Sequence, residues 1–329
     1  MNSVYTRTIT GEANRRGIAI RVIEPTTPIF VLRHSGREIR CYNALTDRVG
    51  AVSFHMAQNK FLANHFLRSR GFPVPGQVKY RDMDQASAFL RRHRRVVVKP
   101  CTQWGGRGVS VAVTGPEELK AAVRRALRFE EEVLLEQCVS GEDYRLIFVN
   151  GRFVAAILRH PAEVTGNGRD TVRVLVRARN RETRRVDPSN RIPLDAETTR
   201  NLAAAGWGWD DVPRKGQRVR VRLTSNYHTG GTVEVVTRRV PAWLLKTARR
   251  AVRALDIPVI GIDFLAQTGT RRHWIIELSP DLAISPPEGE EVARRFLDYL
   301  FPETAARTQD CRAAGRRVPP HCSTAPRHG

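Results

Sequence analysis

Val98-Lys99-Pro100-Cys101-Thr102-Gln103-Trp104-Gly105-Gly106-Arg107-Gly108-Val109 is the stretch on which the reading of this chain turns. Val96 to Val98 make a short strand of the buried type, and Val109 to Val113 make a second, so the glycines sit in a hairpin loop. A loop bare of side chains lets backbone N–H groups approach phosphate oxygens, and Lys99 beside it supplies a compact positive charge. It is not a Walker loop, because no Gly-Lys-Ser/Thr follows and a strand rather than a helix comes next.

On the N-terminal side, residues 29–33 and 37–43 are strand-like runs separated by Ser35-Gly36. One helix is expected from Val52 to Arg70, stopped by Gly71 and the turn Phe72-Pro73-Val74-Pro75-Gly76. Residues 81–93 read as another helix. On the C-terminal side, Thr114-Gly115-Pro116-Glu117 reads as a capping box that opens a helix burying Leu119, Val123 and Leu127. Val133 to Glu136 is a strand, and Tyr144–Val149 and Arg152–Arg159 form a hairpin around Asn150-Gly151. Residues 165–236 are mixed and arginine-rich, with strands expected at Arg218–Leu223 and Thr232–Val236. Pro241 opens an amphipathic helix carrying Leu244, Leu245, Ala248, Val252 and Leu255, and Glu290 to Leu300 is the last helix. Residues 303–329 are polar and aperiodic and read as a disordered basic tail.

Pro258–Gln267 and His273–Ser279 pair as a hairpin in which Asp263 and Glu277 lie symmetrically about Thr270, hence nearly opposite each other. Glu277 and Ser279 share a face by the two-residue strand period. Two adjacent carboxylates in an apolar hairpin repel unless a cation sits between them, and Mg²⁺ bridging nucleotide phosphates is the usual occupant. The alternative, an acid that merely faces solvent on an edge strand, stays open at this point. Between Leu134 and Arg145, an apolar strand runs into Glu136 and Asp143, seven residues apart, a pattern suited to gripping a purine and a ribose.

In this order the segments resemble the ATP-grasp superfamily of carboxylate–amine ligases, and within it the ATP-grasp segments of cyanophycin synthetases and bifunctional glutathione synthetases. The likeness covers roughly residues 29–302. It is carried by the run from Arg37 to Lys60, by Phe72-Pro73-Val74-Pro75, by Lys99-Pro100 with Gly106-Arg107-Gly108-Val109, and by Arg159-His160-Pro161-Ala162 through Gly168. Asn226-Tyr227-His228-Thr229-Gly230-Gly231-Thr232, Gly261-Ile262-Asp263 and Ile276-Glu277-Leu278-Ser279 complete it.

The resemblance implies an α+β protein with the ATP-grasp fold, two α/β subdomains gripping ATP, preceded by a short N-terminal α/β segment. Residues 1–80 would be that segment and 81–302 the ATP-grasp domain, divided into a lid subdomain at about 81–140 and a catalytic subdomain at 141–302. Residues 303–329 would be the tail. By the same resemblance Lys60 and Lys99 hold ATP phosphates and the loop at Gly106, Arg107 and Gly108 closes over them. Glu136, Gln137 and Val139 meet adenine and Asp143 meets the ribose. Asp263, Glu277 and Ser279 ligate one or two Mg²⁺ ions. Arg222 and Asn226, with Lys99, are the catalytic set, stabilising an acyl phosphate and the tetrahedral intermediate that follows.

The chain departs from the family pattern at four places. Asn59 replaces an acid before Lys60, and Ser279 replaces an asparagine. Gln103-Trp104-Gly105 replaces the usual Gly-Asn-His, and Val235 stands at an acid position for which Glu234 is the neighbouring substitute. Domains usually fused to this module are not found, which points to a stand-alone single-step ligase or one relying on a separate partner.

The 329 residues are 41% hydrophobic and 27% charged, a globular composition. No apolar run reaches the roughly 18 residues of a spanning helix, so no membrane partner is expected. Five scattered cysteines and the absence of a leader-like start point to a reducing, cytoplasmic setting. Cys101 and Cys138 read as buried small residues rather than nucleophiles, and Cys311, His321, Cys322 and His328 lack zinc spacing. Lys+Arg number 55 against 33 Asp+Glu, a net charge of +22, yet only six of the basic residues are lysine. Such an excess suits a solvated surface, an anionic partner such as RNA, or attraction of acidic substrates. Three functions follow: an ATP-dependent ligase acting on an amino acid or a small or acidic peptide, an ATP-binding protein with degraded catalysis, and an RNA-associated basic protein. A homo-dimer or homo-tetramer is the assembly left open.

Overall fold

The computed structural model describes residues 4–282, 284 and 288–305. Its contacts divide the chain into two compact units: the described residues up to Thr46 together with those after Leu282, and Asp47–Leu282.

The first unit opens with helix α1 (Val4–Arg15), then strands β1 (Ala19–Val22), β2 (Ile29–His34), β3 (Arg37–Tyr42) and β4 (Leu45–Thr46) in one antiparallel sheet of that order. Arg16, its side chain 1% exposed, ties the end of α1 to the C-terminal part of the same unit. It donates to Glu12 at 2.9 Å, to Asp298 at 2.7 Å and to the Arg294 carbonyl at 3.0 Å.

The second unit continues with α2 (Ala51–Gln58), α3 (Lys60–Ser69), β5 (Gln77–Lys79), α4 (Met83–His93), β6 (Val96–Pro100), β7 (Ser110–Val113), α5 (Pro116–Leu127) and β8 (Val133–Gln137). Next come β9 (Glu142–Val149), β10 (Arg152–His160), β11 (Glu163–Thr165), α6 (Val172–Val186), α7 (Ala196–Ala204), β12 (Arg218–Arg220) and β13 (Thr232–Val235). It ends with α8 (Ala242–Leu255), β14 (Val259–Gln267) and β15 (Arg272–Ser279), and α9 (Gly289–Leu300) returns to the first unit, packed on α1.

Two antiparallel sheets organise the second unit. One has the order β5-β8-β6-β7 and packs Val96, Val98 and Leu135 against Phe89, Leu119 and Val123 of α4 and α5. The other has the order β13-β10-β9-β14-β15. One of its faces is apolar: Leu146, Phe148, Ile260, Ile262 and Phe264 pack with Leu244, Ala248, Val252 and Leu255 of α8 and with Leu67 of α3. Each such aliphatic or aromatic side chain contributes about 1.5–3 kcal/mol by its burial. By strand alternation the opposite face is the polar one, and it carries the site.

Local expectations are corrected in five places. The single helix over 52–70 is two helices broken at Asn59, whose backbone is extended (φ −84°, ψ 111°) and whose Oδ1 accepts from Phe61 N at 3.0 Å and Leu62 N at 3.1 Å. The break frees Lys60 N to donate to the Cys101 carbonyl at 3.0 Å, which places Lys60 at the end of β6. Before α5 the cap is Gly115, and Glu118 rather than Glu117 accepts from Thr114 N at 2.8 Å. Leu127 is 43% exposed while Ala122 and Ala126 are buried, because strict four-residue spacing drifts off a 3.6-residue helical face. Residues 165–236 contain α6 and α7, which share a small core of Val172, Val176, Ile192, Leu202, Val219 and Val221. Finally, Thr304 is fully buried in a 3-10 turn at Pro302–Thr304, so ordered structure continues past residue 302. Residues 306–329, with Cys311, His321, Cys322 and His328, lie outside the described residues.

Replacing Asn59 with alanine removes two capping bonds from a 7%-exposed side chain. We expect a loss of about 1 kcal/mol, read as a lower urea midpoint at unchanged slope. No change in midpoint would deny Asn59 the capping role.

Candidate active site

Lys99 and Glu136 lie diagonally across paired strands β6 and β8, where the register sets Lys99 opposite Leu134 and Val97 opposite Glu136. Their side chains are 9% and 6% exposed and meet at 2.8 Å. Gln77 on β5, directly opposite Glu136 in the β5–β8 register, donates from Nε2 to the same carboxylate oxygen. The phosphate-binding lysine and the adenine-contacting acid of the sequence reading are thus one buried ion pair. Gln137 and Val139 follow it half-buried, with Gln137 N donating to the Gly76 carbonyl at 2.7 Å.

From the end of β6 the chain enters the loop 103–108, where Gly105, Gly106 and Gly108 have φ of +69°, +75° and +69°. At Gly108 a methyl group would lie 2.9 Å from Phe129 Cδ2 and 3.0 Å from Pro100 Cγ, so this position admits glycine alone without displacement. Trp104 is 65% exposed, and the Arg107 guanidinium stacks over it at 4.7 Å. Lys60 Nζ donates to the Gln103 carbonyl at 2.6 Å and stands 3.4 Å from Glu277 Oε1. One ammonium group therefore joins the head of the glycine loop to the acid of β15. On the loop's other side, a methyl on Gly106 would lie 3.7 Å from Asn226 Nδ2.

Asp263 and Glu277 are direct cross-strand partners, as expected, but not through a hairpin centred on Thr270. From Gln267 opposite Arg272 to Phe264 opposite Ile275 the register would set Asp263 against Ile276. Ile276 is an extra residue, a β-bulge, and it restores Glu277 to the place opposite Asp263. The same bulge lets Ile275 and Leu278, three residues apart, both enter the core.

The cation beside Asp263 is protein. Arg145, directly opposite on β9, donates from Nε to Oδ1 at 2.7 Å and from Nη2 to Oδ2 at 2.8 Å. Arg159 on β10 donates from Nη2 to Oδ2 at 2.8 Å and to Asp143 Oδ1 at 2.6 Å. Arg145 Nη2 also lies 3.0 Å from Ser279 Oγ. Burial alone would push the Asp263 carboxyl up, but the Arg145 and Arg159 guanidinia outweigh it and hold the group below the usual carboxylate range. Asp143 goes the other way, raised by burial against the pull of Arg159. Sequence reading named neither arginine as a site residue. The usable signal was the i, i+2 spacing of Asp143 and Arg145 along one strand face.

Arg222 is 5% exposed and donates from Nη1 to Asp195 at 2.7 Å and to Thr198 at 3.0 Å. Its Nε and the Thr224 hydroxyl are buried with no partner among the described residues. Asn226 caps the 3-10 turn Tyr227–Thr229, its Oδ1 accepting from His228 N at 2.8 Å. Glu234 does not substitute at the acid position of Val235. It lies opposite Leu158, on the face away from Arg159 and Asp263, and pairs with Arg239 and with His160 at 3.5 Å. Burial, with Glu132 and Glu130 beside it, pushes the Cys101 thiol up to about 12, and burial raises Cys138 as well, so neither is a ready nucleophile.

The donors fit a divalent ion incompletely. Both Asp263 oxygens are held by guanidinia and the Ser279 hydroxyl by Arg145, while Glu277 keeps a carboxylate 36% exposed.

A glycine loop beside the strand lysine Lys99, with Lys60 at the start of α3 reaching toward the acid of β15, is the arrangement of the ATP-grasp fold, and this chain has that fold. Residues 73–187 match the family model of the prokaryotic glutathione synthetase ATP-grasp domain. Cyanophycin synthetase of Trichormus variabilis is 28% identical over 315 residues, 90% of this chain and 35% of the relative. The glutathione biosynthesis bifunctional protein of Listeria innocua is 29% identical over 315 residues, 90% of this chain and 41% of the relative. The chain thus spans well under half the length of these relatives. Among solved structures, the bifunctional glutathione synthetase of Pasteurella multocida superposes with a TM-score of 0.61 at 23% identity, over 92% of this chain and 44% of that one. The D-alanine–D-alanine ligase of Bacillus anthracis gives 0.51 at 15% identity, over 80% and 71%. Among the described residues no helix is long and apolar enough to cross a membrane.

Proposed function

We propose that the chain is an ADP-forming, ATP-dependent ligase that joins a carboxylate to an amine through an acyl phosphate, acting in the cytoplasm on an amino acid or a small or acidic peptide. The observation that carries this reading is Lys60, whose ammonium touches the glycine-loop carbonyl of Gln103 and lies 3.4 Å from Glu277. It draws the phosphate-covering loop and the charged end of the acid strand to one point. The two named relatives, a cyanophycin synthetase and a glutathione biosynthesis protein, support the same class.

In this reading Lys60 and Lys99 neutralise the nucleotide's phosphates, and the bare backbone at Gly106–Gly108 covers them. Glu136, Gln137 and Val139 receive the base and Asp143 the ribose. Glu277 is the open carboxylate for a divalent ion, which when bound would screen the charge on the phosphates. The substrate carboxylate attacks the γ-phosphate. The resulting acyl phosphate lies toward Arg222, whose buried Nε has no partner among the described residues, and toward Asn226 beside the loop. An amine then displaces phosphate. The protein positions and neutralises, and no covalent enzyme nucleophile is required.

The test supplies ATP and Mg²⁺ with pairs drawn from amino acids and short acidic peptides, and then replaces the amine by hydroxylamine. ADP release that requires the acid, with a hydroxamate in the second arm, is the outcome expected. AMP as the nucleotide product would overturn the acyl phosphate. Nucleotide binding without turnover would favour a second reading, an ATP-binding protein with degraded catalysis, for which the guanidinium-held Asp263 and the Ser279 substitution speak.

A further inference from the structure

Three acids and three cations meet on the polar face of the five-stranded sheet. Asp263, Asp143 and Glu277 are matched by Arg145, Arg159 and Lys60 at 2.7, 2.6 and 3.4 Å, so the protein's own side chains already balance the formal charge. A site built to hold two divalent ions keeps an excess of carboxylate oxygen for them, because a small hard cation requires several oxygen ligands in near-octahedral array. Here Arg145 spans two of the three candidate ligands with one planar group. Its Nε and Nη2 cover both oxygens of Asp263, and Nη2 reaches the Ser279 hydroxyl. The guanidinium is fixed from below by the β9–β14 register, which sets Arg145 directly opposite Asp263, and Arg159 seals the second Asp263 oxygen. The Arg145 side chain is 19% exposed, and among the described residues its hydrogen bonds run from Nε and Nη2, so the Nη1 edge of the cation is the one to meet an anion.

We infer that Arg145 stands in this chain where a second divalent ion would be, so that the nucleotide complex carries one ion, at Glu277, and a guanidinium in the place of the other. This rests on the ligase reading above, since it takes the polar face as the seat of a nucleotide's phosphates. A guanidinium neutralises phosphate charge and donates hydrogen bonds, yet it cannot be lost by chelation, and serine at position 279 becomes intelligible as its neighbour rather than as a weakened metal ligand.

The experiment counts ions directly. The full chain is saturated with a non-hydrolysable ATP analogue, its occupancy measured by displacement of a fluorescent nucleotide, and titrated with Mn²⁺, free Mn²⁺ being read by electron paramagnetic resonance. One Mn²⁺ per bound nucleotide is expected in the wild type and in Ser279→Asn, and two in Arg145→Gln. Two ions in the wild type or in Ser279→Asn would overturn the inference, as would a single ion in folded Arg145→Gln. Should Arg145→Gln fail to fold, the Ser279→Asn count decides: one ion supports Arg145, two make the serine the cause. Bound nucleotide with two ions sinks the role of Arg145 alone, whereas no nucleotide binding at all sinks the ligase reading and this inference with it.

Discussion

ADP formation by Lys99→Met falls by about 10²–10³-fold, the scale for removing one preorganised charge from a transferring phosphoryl group. The variant also loses stability, because Glu136 is left buried at 6% exposure without its counter-ion. Breaking a buried pair from one side costs about 3–5 kcal/mol. The two effects separate in Lys99→Met/Glu136→Gln, in which the second substitution removes the stranded charge and keeps an acceptor for Gln77. The double variant recovers most of the unfolding free energy in urea while its turnover stays low. Recovery of turnover along with stability would assign Lys99 to the fold alone.

Asp263→Asn is the second severe substitution. Asp263 is fully buried and receives three guanidinium hydrogen bonds, so the amide leaves Arg145 and Arg159 without a charge between them. At pH 7 the loss is again about 3–5 kcal/mol. Its pH dependence has a definite sign. The folded-state value of Asp263 lies below the ordinary 3.8, so its contribution is complete above that value and disappears as the pH falls through the depressed one. Wild type and Asp263→Asn therefore converge in stability below about pH 3.8 and differ most at neutrality. Urea midpoints at stepped pH check this, and a gap that widens on acidification would contradict it.

What the amino-acid order discloses here is what local chemistry controls. The glycine loop between two valine strands, the Asn150-Gly151 turn and the leucine stripe of α8 are each decided within a dozen residues. The cations around Asp263 were hidden because Arg145 and Arg159 lie 118 and 104 residues away, and only the sheet order brings them in. Asn59 looked like a polar residue inside a helix, since a cap and an exposed helical position use the same side chain. The α6 stripe was masked for another reason: Arg173, Arg177, Arg179 and Arg181 interrupt the apolar positions. Part of the arginine excess is thereby accounted for. Arg16, Arg145, Arg159, Arg200 and Arg222 are internal struts rather than surface charge, with side chains from 1% to 19% exposed.

The bulged Ile276 has a consequence for how this hairpin tolerates change in length. Residues added at the tip, Thr268–Arg271, leave both legs in step and are absorbed as a longer loop. Removing Ile276 leaves Ile275 opposite Phe264 and Glu277 opposite Asp263 in a regular ladder, so both faces stay satisfied and only the local bend of the bulge is lost. Removing Leu278 instead sets Ser279 opposite Ile262 and reverses the parity of the strand beyond Glu277, so core and polar faces can no longer both be satisfied there. Two deletions of equal size, two residues apart, would thus leave one acid strand in step and the other with its end turned inside out.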